Sequence, residues 1–290
     1  MIKASLTVLL VFCCGWLAGQ TIAYPDTLNK RRLTGVAAAQ GTIWGGAITG
    51  LSVLYYQGEK PSSFRLYNDN GSWLQMDKAG HLFANYYLTS VVYHSYRWAG
   101  LNERQALVPG CLVPFLFELN MEVLDGLYSK WGFSWGDVAA NTAGCLAFAA
   151  QQLAWGEQRF SVRYSWHPSP YGNENPGILG GTFVEKMWED YNGMTFWLSG
   201  NISAFLPRES RFPKWLNIAV GYGVEGQAVD ASKHAPCRQF YLSPDIDLTR
   251  IQTRSKSLKV LFTLLSILKM PMPAIEFNTT GVVRVYPVYF

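Results

Sequence analysis

Charge is scarce in this chain. Asp, Glu, Lys and Arg make up only 15 % of its 290 residues, where an ordinary soluble domain carries about a quarter. The net charge of +4 is weak and scattered, which argues against a nucleic-acid groove. Histidines number four and cysteines five. H-E-x-x-H, C-x-x-C and G-x-S-x-G are all missing, and no Gly-rich phosphate loop follows a strand. These absences exclude the commonest signatures of zinc peptidases, zinc fingers, α/β-hydrolases and nucleotide-binding proteins. Cys13 and Cys14 lie in an apolar leader, so Cys111, Cys145 and Cys237 remain. An odd number at such distances is not a disulfide framework, and packing roles are expected for all three.

What the chain has in excess is aromatic surface, 15 % of residues with 11 Trp and 16 Tyr. Much amphipathic aromatic surface beside little charge points to a membrane or its interface. Residues 1–23 have the order of an export signal: Lys3, then an apolar run from Ala4 to Leu17, then small residues at Ala18, Gly19 and Ala23. Cleavage is expected near residues 19–23. No lipobox precedes Cys13 or Cys14, so lipidation is not expected.

The stretch 24–158 is expected to be a helical domain. Leu33 to Tyr56 is uncharged and long enough either to span a bilayer or to lie buried in a bundle. Gly41, Gly45, Gly46 and Gly50 would let another helix approach closely. Asn68-Asp69-Asn70-Gly71 is a turn signal. A helix then runs to about Trp98, followed by Leu101 to Asp125, where Pro109 and Pro114 predict a kink or two short helices. Ser134 can cap the last helix, with Asp137 as an acidic capping-box partner.

Three of these apolar helices carry polar residues at one-turn spacing: Asp77 with His81, Glu118 with Glu122 and Asp125, and Asp137 with Asn141. Separately burying an unpaired carboxylate on each helix would cost several kcal/mol apiece, so the pairs are expected to meet in space. Asp77, His81, Glu122 and Asp137 are the candidate catalytic residues, with Lys78, Glu118, Asp125 and Asn141 completing a polar cluster. The residue types suit a divalent metal or an acid/base pair acting on a lipid or glycan. Helix capping and buried hydrogen bonding would explain them equally well, and neither metal nor cofactor can be named.

From Arg159 the hydrophobic period changes from helical to two. Phe160–Trp166, Phe196–Leu206, Leu216–Glu225 and Phe240–Thr249 alternate apolar with polar residues, and Val282–Phe290 is a fifth strand in which Pro287 implies an edge or a bulge. Further strands are sought in Gly181–Tyr191. An apolar helix is expected at 255–270, stopped by Pro271. Aromatic apolar faces, small polar opposite faces and a terminal Phe290 sharing a face with Val288 and Tyr286 favour lipid contact over a soluble sandwich. The fold expected is therefore α+β: an N-terminal helical bundle, then an antiparallel sheet or partial barrel of outer-membrane type over 159–290.

Asp77-Lys78-x-x-His81, Glu122 and Asp137-x-x-x-Asn141-x-x-Gly144 resemble the motif series of VanZ-like membrane proteins. Trp73 to Gln158 resembles the YfiM-type periplasmic lipoproteins more closely, a family of unknown function. Its longer Bacteroidetes-type members look similar at Asp190-Tyr191-Asn192-Gly193 and at Tyr241 to Asp247. Asp125 stands where the VanZ-like pattern has Gln, and Lys130 to Ser134 replaces its Pro-Gly-Arg stretch. The resemblance implies an envelope protein and no activity. The leading expectation is a structural or interaction component of the outer membrane, in contact with membrane lipid and with envelope proteins or further copies of itself, and not with nucleic acid. The alternative is a metal- or acid/base-dependent envelope enzyme.

Overall fold

A computed structural model describes residues 24–56, 58–230 and 232–290. The export-signal expectation falls on residues 1–23, outside the described residues. The chain forms two compact units. One runs to Ser72 and from Asp77 to Gly156, and the other comprises Trp73–Met76 and Glu157–Phe290.

The first unit is helical. Its helices are α1 (Lys30–Tyr56), α2 (Met76–Trp98), α3 (Glu103–Gly126) and α4 (Trp135–Trp155). Asn102 and Gln105 close a capping box at the start of α3. Of the two outcomes that the prolines predict, α3 is not divided into two short helices: it is one helix containing both Pro109 and Pro114. Tertiary burial of Ala106, Gly110, Pro114, Phe117 and Met121 along it outweighs the two lost donors. On α1, no atom of the described residues lies within 4 Å of a Cβ built on Gly41, Gly45, Gly46 or Gly50. Among the described helices it is α3 that is long and apolar enough to cross a bilayer, and it carries buried Glu118, Glu122 and Asp125. Ser134 caps α4 by accepting from the Asp137 N–H, and Gly156 ends it in the left-handed region.

The second unit is an antiparallel meander of β1 (Phe160–Trp166), β2 (Met194–Asn201), β3 (Leu216–Glu225), β4 (Cys237–Ile246), β5 (Met272–Asn278) and β6 (Val283–Tyr289), paired in that order. Helices α5 (Pro176–Leu179), α6 (Phe183–Glu189) and α7 (Lys256–Leu265) interrupt it. The α+β class is as expected. The region searched for strands at Gly181–Tyr191 is instead helical, because Thr182 and Glu185 form a capping box that starts α6. Strand β5 is not among the expected strands: Pro271 marks the end of the expected helix, and Pro273 within the strand obscures the alternation of Ala274 and Glu276 with Ile275 and Phe277.

The sheet is not a closed barrel, since β1 and β6 do not pair. The outer edge of β1 is instead covered by backbone bonds between Tyr164 and the Ile267–Lys269 segment. At the other edge, the pairing of β5 with β6 slips between Met272 and Ala274, opposite Pro287. That slip breaks the shared face expected of Tyr286, Val288 and Phe290. Tyr286 turns to Glu276 and Tyr289 to the buried Trp197 and Tyr241, while Val288 stays exposed.

The two faces of the sheet are inverted relative to a water-soluble sandwich. Arg163, Ser199, Asp245 and Glu276 are buried together with Trp197, Tyr241 and Tyr289. Leu198, Val220, Leu242, Ile275 and Val285, which are register partners across β2 to β6, are all exposed. Side chains of non-adjacent strands meet on the polar face, as in the 2.9 Å contact of Thr195 Oγ1 with Tyr289 Oη. The sheet therefore curls around its polar side. On β1 the pattern differs, because Trp166 packs against Phe183 of α6 and Tyr164 donates to the Met187 carbonyl.

Candidate functional site

The polar pairs of α2, α3 and α4 meet inside the helical unit. His81 Nε2 lies 3.6 Å from Asp137 Oδ1 and 3.9 Å from Asp77 Oδ2, while Nδ1 is 4.0 Å from Glu118 Oε2. One-turn spacing puts Asp77 and His81 on the same face of α2. On α4 the same spacing lets Asn141 reach the other side of the imidazole, 3.0 Å from Nδ1. Asn141 Oδ1 also accepts from Asn85 Nδ2 at 2.5 Å. With its oxygen receiving from Asn85, Asn141 is oriented to accept from Nδ1–H, which leaves Nε2 facing the two aspartates.

Lys78 enters from the side. Its Nζ is 2.6 Å from Asp137 Oδ1, 2.7 Å from Asp69 Oδ2 and 3.3 Å from Asp77 Oδ2. Gly136 makes room for it, because a Cβ there would sit 2.9 Å from Lys78 Cε and 2.1 Å from Asn70 Oδ1. Gly144 likewise lets α4 approach α2, where a Cβ would lie 2.4 Å from the Leu82 carbonyl oxygen. His81, Glu118, Glu122, Asp125, Asp137 and Asn141 are buried, whereas the side chains of Asp69, Asp77 and Lys78 keep 13–16 % exposure. Water reaches the cluster at that end.

Glu122 and Asp125 form a second layer. Glu122 Oε2 accepts the Ser134 backbone N–H at 3.1 Å, and Tyr56 Oη donates to Asp125 Oδ1 at 2.6 Å. The capping-box role expected of Asp137 is thus supplied from another helix by Glu122, which frees the Asp137 carboxylate for Lys78 and His81. Ser134 Oγ in turn donates to Asp69 Oδ1 at 2.6 Å.

Burial, reinforced by Asp137, pushes the Glu122 carboxyl up to about 10, so it is neutral at physiological pH. Burial also raises Asp125 and Asp137 to about 6, held there by Tyr56 on one and by His81 and Lys78 on the other. For His81 burial works against the charged form, but Asp137, Asp77 and Glu118 outweigh it and raise the imidazole. Lys78 behaves likewise: burial opposes its charge, and Asp77, Asp137 and Asp69 raise it above the usual ammonium range.

All eight residues singled out in the sequence lie in this cluster or its second layer. Tyr56, Asp69, Asn85 and Ser134 complete it and were not foreseen as members. Asn85 stands one turn after His81, a spacing that could have marked it. Asp69 looked like an ordinary turn residue. In the other unit, Asp190 and Asn192 form a buried lock, with Asn192 Nδ2 donating to Asp190 Oδ1 at 2.9 Å and the Gln227 N–H donating to Asn192 Oδ1 at 2.7 Å.

Residues 66–153, which contain most of this cluster, match the family model DUF2279, described as predicted periplasmic lipoprotein. The match covers less than a third of the chain and supports a cell-envelope protein of unknown activity. Comparison with curated proteins and with solved structures returns no match.

Proposed function

We propose that the protein is a non-enzymatic component of the outer membrane whose β unit seats the apolar face of its sheet in lipid. The row Leu198, Val220, Leu242, Ile275 and Val285, running exposed across five strands behind a buried polar face, carries this reading. Phe240, Phe277 and Val283 add a second exposed row beside it. A soluble monomer rarely leaves so continuous an apolar surface to water. On the same unit an apolar depression of about 480 Å³, lined by Ile202, Leu216, Ile218, Leu242, Pro273 and Val285, offers room for part of an acyl chain. Helix α7 has exposed Leu258 and Leu261 beside exposed Lys256 and Lys259, a composition that suits an anionic interface. The resemblance to VanZ-like membrane proteins and YfiM-type lipoproteins implies an envelope protein, which is compatible with this reading.

Burial fits Glu122 for bracing helices and Asp137 for holding an ion better than either for acting on a lipid or glycan. Flotation of the mature protein with phosphatidylethanolamine–phosphatidylglycerol vesicles tests the lipid reading. Wild type should float, and the triple variant Val220→Glu, Leu242→Glu, Val285→Glu should stay at the bottom of the gradient with an unchanged circular dichroism spectrum. A wild type that is a stable dimer without lipid and ignores vesicles would overturn it, the face then being covered by a second copy.

A further inference from the structure

We infer that Asp77, His81 and Asp137 form a site for a divalent first-row transition-metal ion of the zinc or manganese class. This inference is independent of the lipid reading, because all three residues belong to the helical unit. Each offers one ligand atom, and the three atoms lie within 4.8 Å of one another. Two donors bound to one ion at about 2 Å each can be no more than about 4 Å apart. The separations of His81 Nε2 from Asp137 and Asp77, 3.6 and 3.9 Å, meet that limit without moving a helix.

A second observation points to a ligand. His81 is 1 % exposed, and its Nε2 has no hydrogen-bond partner among the described residues although it faces both aspartates. Asn141 fixes the ring from the Nδ1 side, the arrangement by which metal-binding histidines are oriented and made more basic. Imidazole with two carboxylates favours zinc or manganese over calcium and magnesium, which take oxygen alone.

Lys78 is the competitor. Its ammonium touches both aspartates, so a metal ion entering the site displaces one cation with another. Asp69, 2.7 Å from Lys78 Nζ, gives the ammonium a place to remain. Replacing Lys78 by Met should therefore tighten metal binding, whereas a lysine needed only to brace the fold would leave affinity unchanged or abolished. Asp77 and Lys78 at the solvent-touched end provide the entry.

The test is titration of the EDTA-treated mature protein with Zn²⁺ and with Mn²⁺ by calorimetry. One equivalent of at least one ion should bind. His81→Ala and Asp137→Asn should lose affinity by about 100-fold or more, and Asn141→Leu should weaken it about 10–100-fold. Lys78→Met should bind more tightly than wild type. Because the His81 and Asp137 variants could fail to fold, ¹⁵N NMR of the wild-type histidines gives a second reading: metal should shift His81 Nε2 and leave Nδ1 protonated. The assignment is overturned if neither wild type nor Lys78→Met takes up an equivalent, if folded His81→Ala binds like wild type, or if metal binds with no change at His81 Nε2.

Discussion

Arg163 on β1 and Asp245 on β4 meet at 3.0 Å on the buried face of the sheet, although β2 and β3 lie between them in the ladder. Asp245 is the hub of this network. It also accepts from Ser199 Oγ at 2.6 Å and faces Lys269 Nζ at 3.7 Å. Removing it takes the nearest carboxylate from two buried cations and leaves Arg163 with Asp247 at 3.7 Å, whereas removing Arg163 leaves Asp245 with Lys269. Asp245→Leu should therefore cost about 3–5 kcal/mol and Arg163→Met distinctly less. Urea unfolding of both variants decides the order, and equal losses would mean that Lys269 does not neutralise Asp245.

The alternation of β3 and β4 was plain in the sequence because its period of two survives in any antiparallel sheet. Which face lies inside was not, since a sandwich and a barrel share the pattern and differ only in what covers it. Strand β1 shows the limit: Val162 and Tyr164 alternate with Arg163 and Ser165, yet all four are buried, because a neighbouring helix covers the apolar side. The site was more legible than the sheet. Asp77 with His81, and Asp137 with Asn141, were readable because carboxylates on apolar helices must find partners. Tyr56 and Asp69 were not, because a helix end and a turn carry the same residues without any site.

Gly144 tests how closely α2 and α4 must approach. Elsewhere a helical Gly→Ala change stabilises by roughly 0.5–1 kcal/mol, and Gly45→Ala on α1, with no described residue within 4 Å of the new methyl, should do so. At Gly144 the methyl would meet the Leu82 carbonyl oxygen at 2.4 Å and Asn85 Cβ at 3.0 Å. Overpacking against backbone should reverse the sign, to a loss of about 1–3 kcal/mol. Thermal unfolding of the two variants side by side gives the comparison, and a stabilised Gly144→Ala would show that the helices stand farther apart.

Glu122 sets the direction in which stability follows pH. Its carboxyl, ordinarily near 4.5, is raised by burial to about 10 in the folded protein. Between those values the folded state keeps a proton that the unfolded state releases, so stability falls as pH rises through that window. Asp125 and Asp137, raised to about 6, add a loss of the same sign that is complete by mildly acidic pH. The raised His81 also favours the acid side, its contribution being full below the ordinary imidazole value and lost as pH rises through its folded value. Wild-type stability, measured in EDTA, should therefore decline from pH 6 to pH 9. Glutamine in place of Glu122 has the same shape and no proton to lose, and its carbonyl can still accept from Ser134. Glu122→Gln should flatten the decline and exceed wild type at pH 9 by an amount on the order of 1–3 kcal/mol. Urea midpoints of both proteins at the two pH values supply the comparison. A Glu122→Gln protein that declines as steeply as wild type between pH 6 and pH 9 would mean that Glu122 is already ionised in the folded protein.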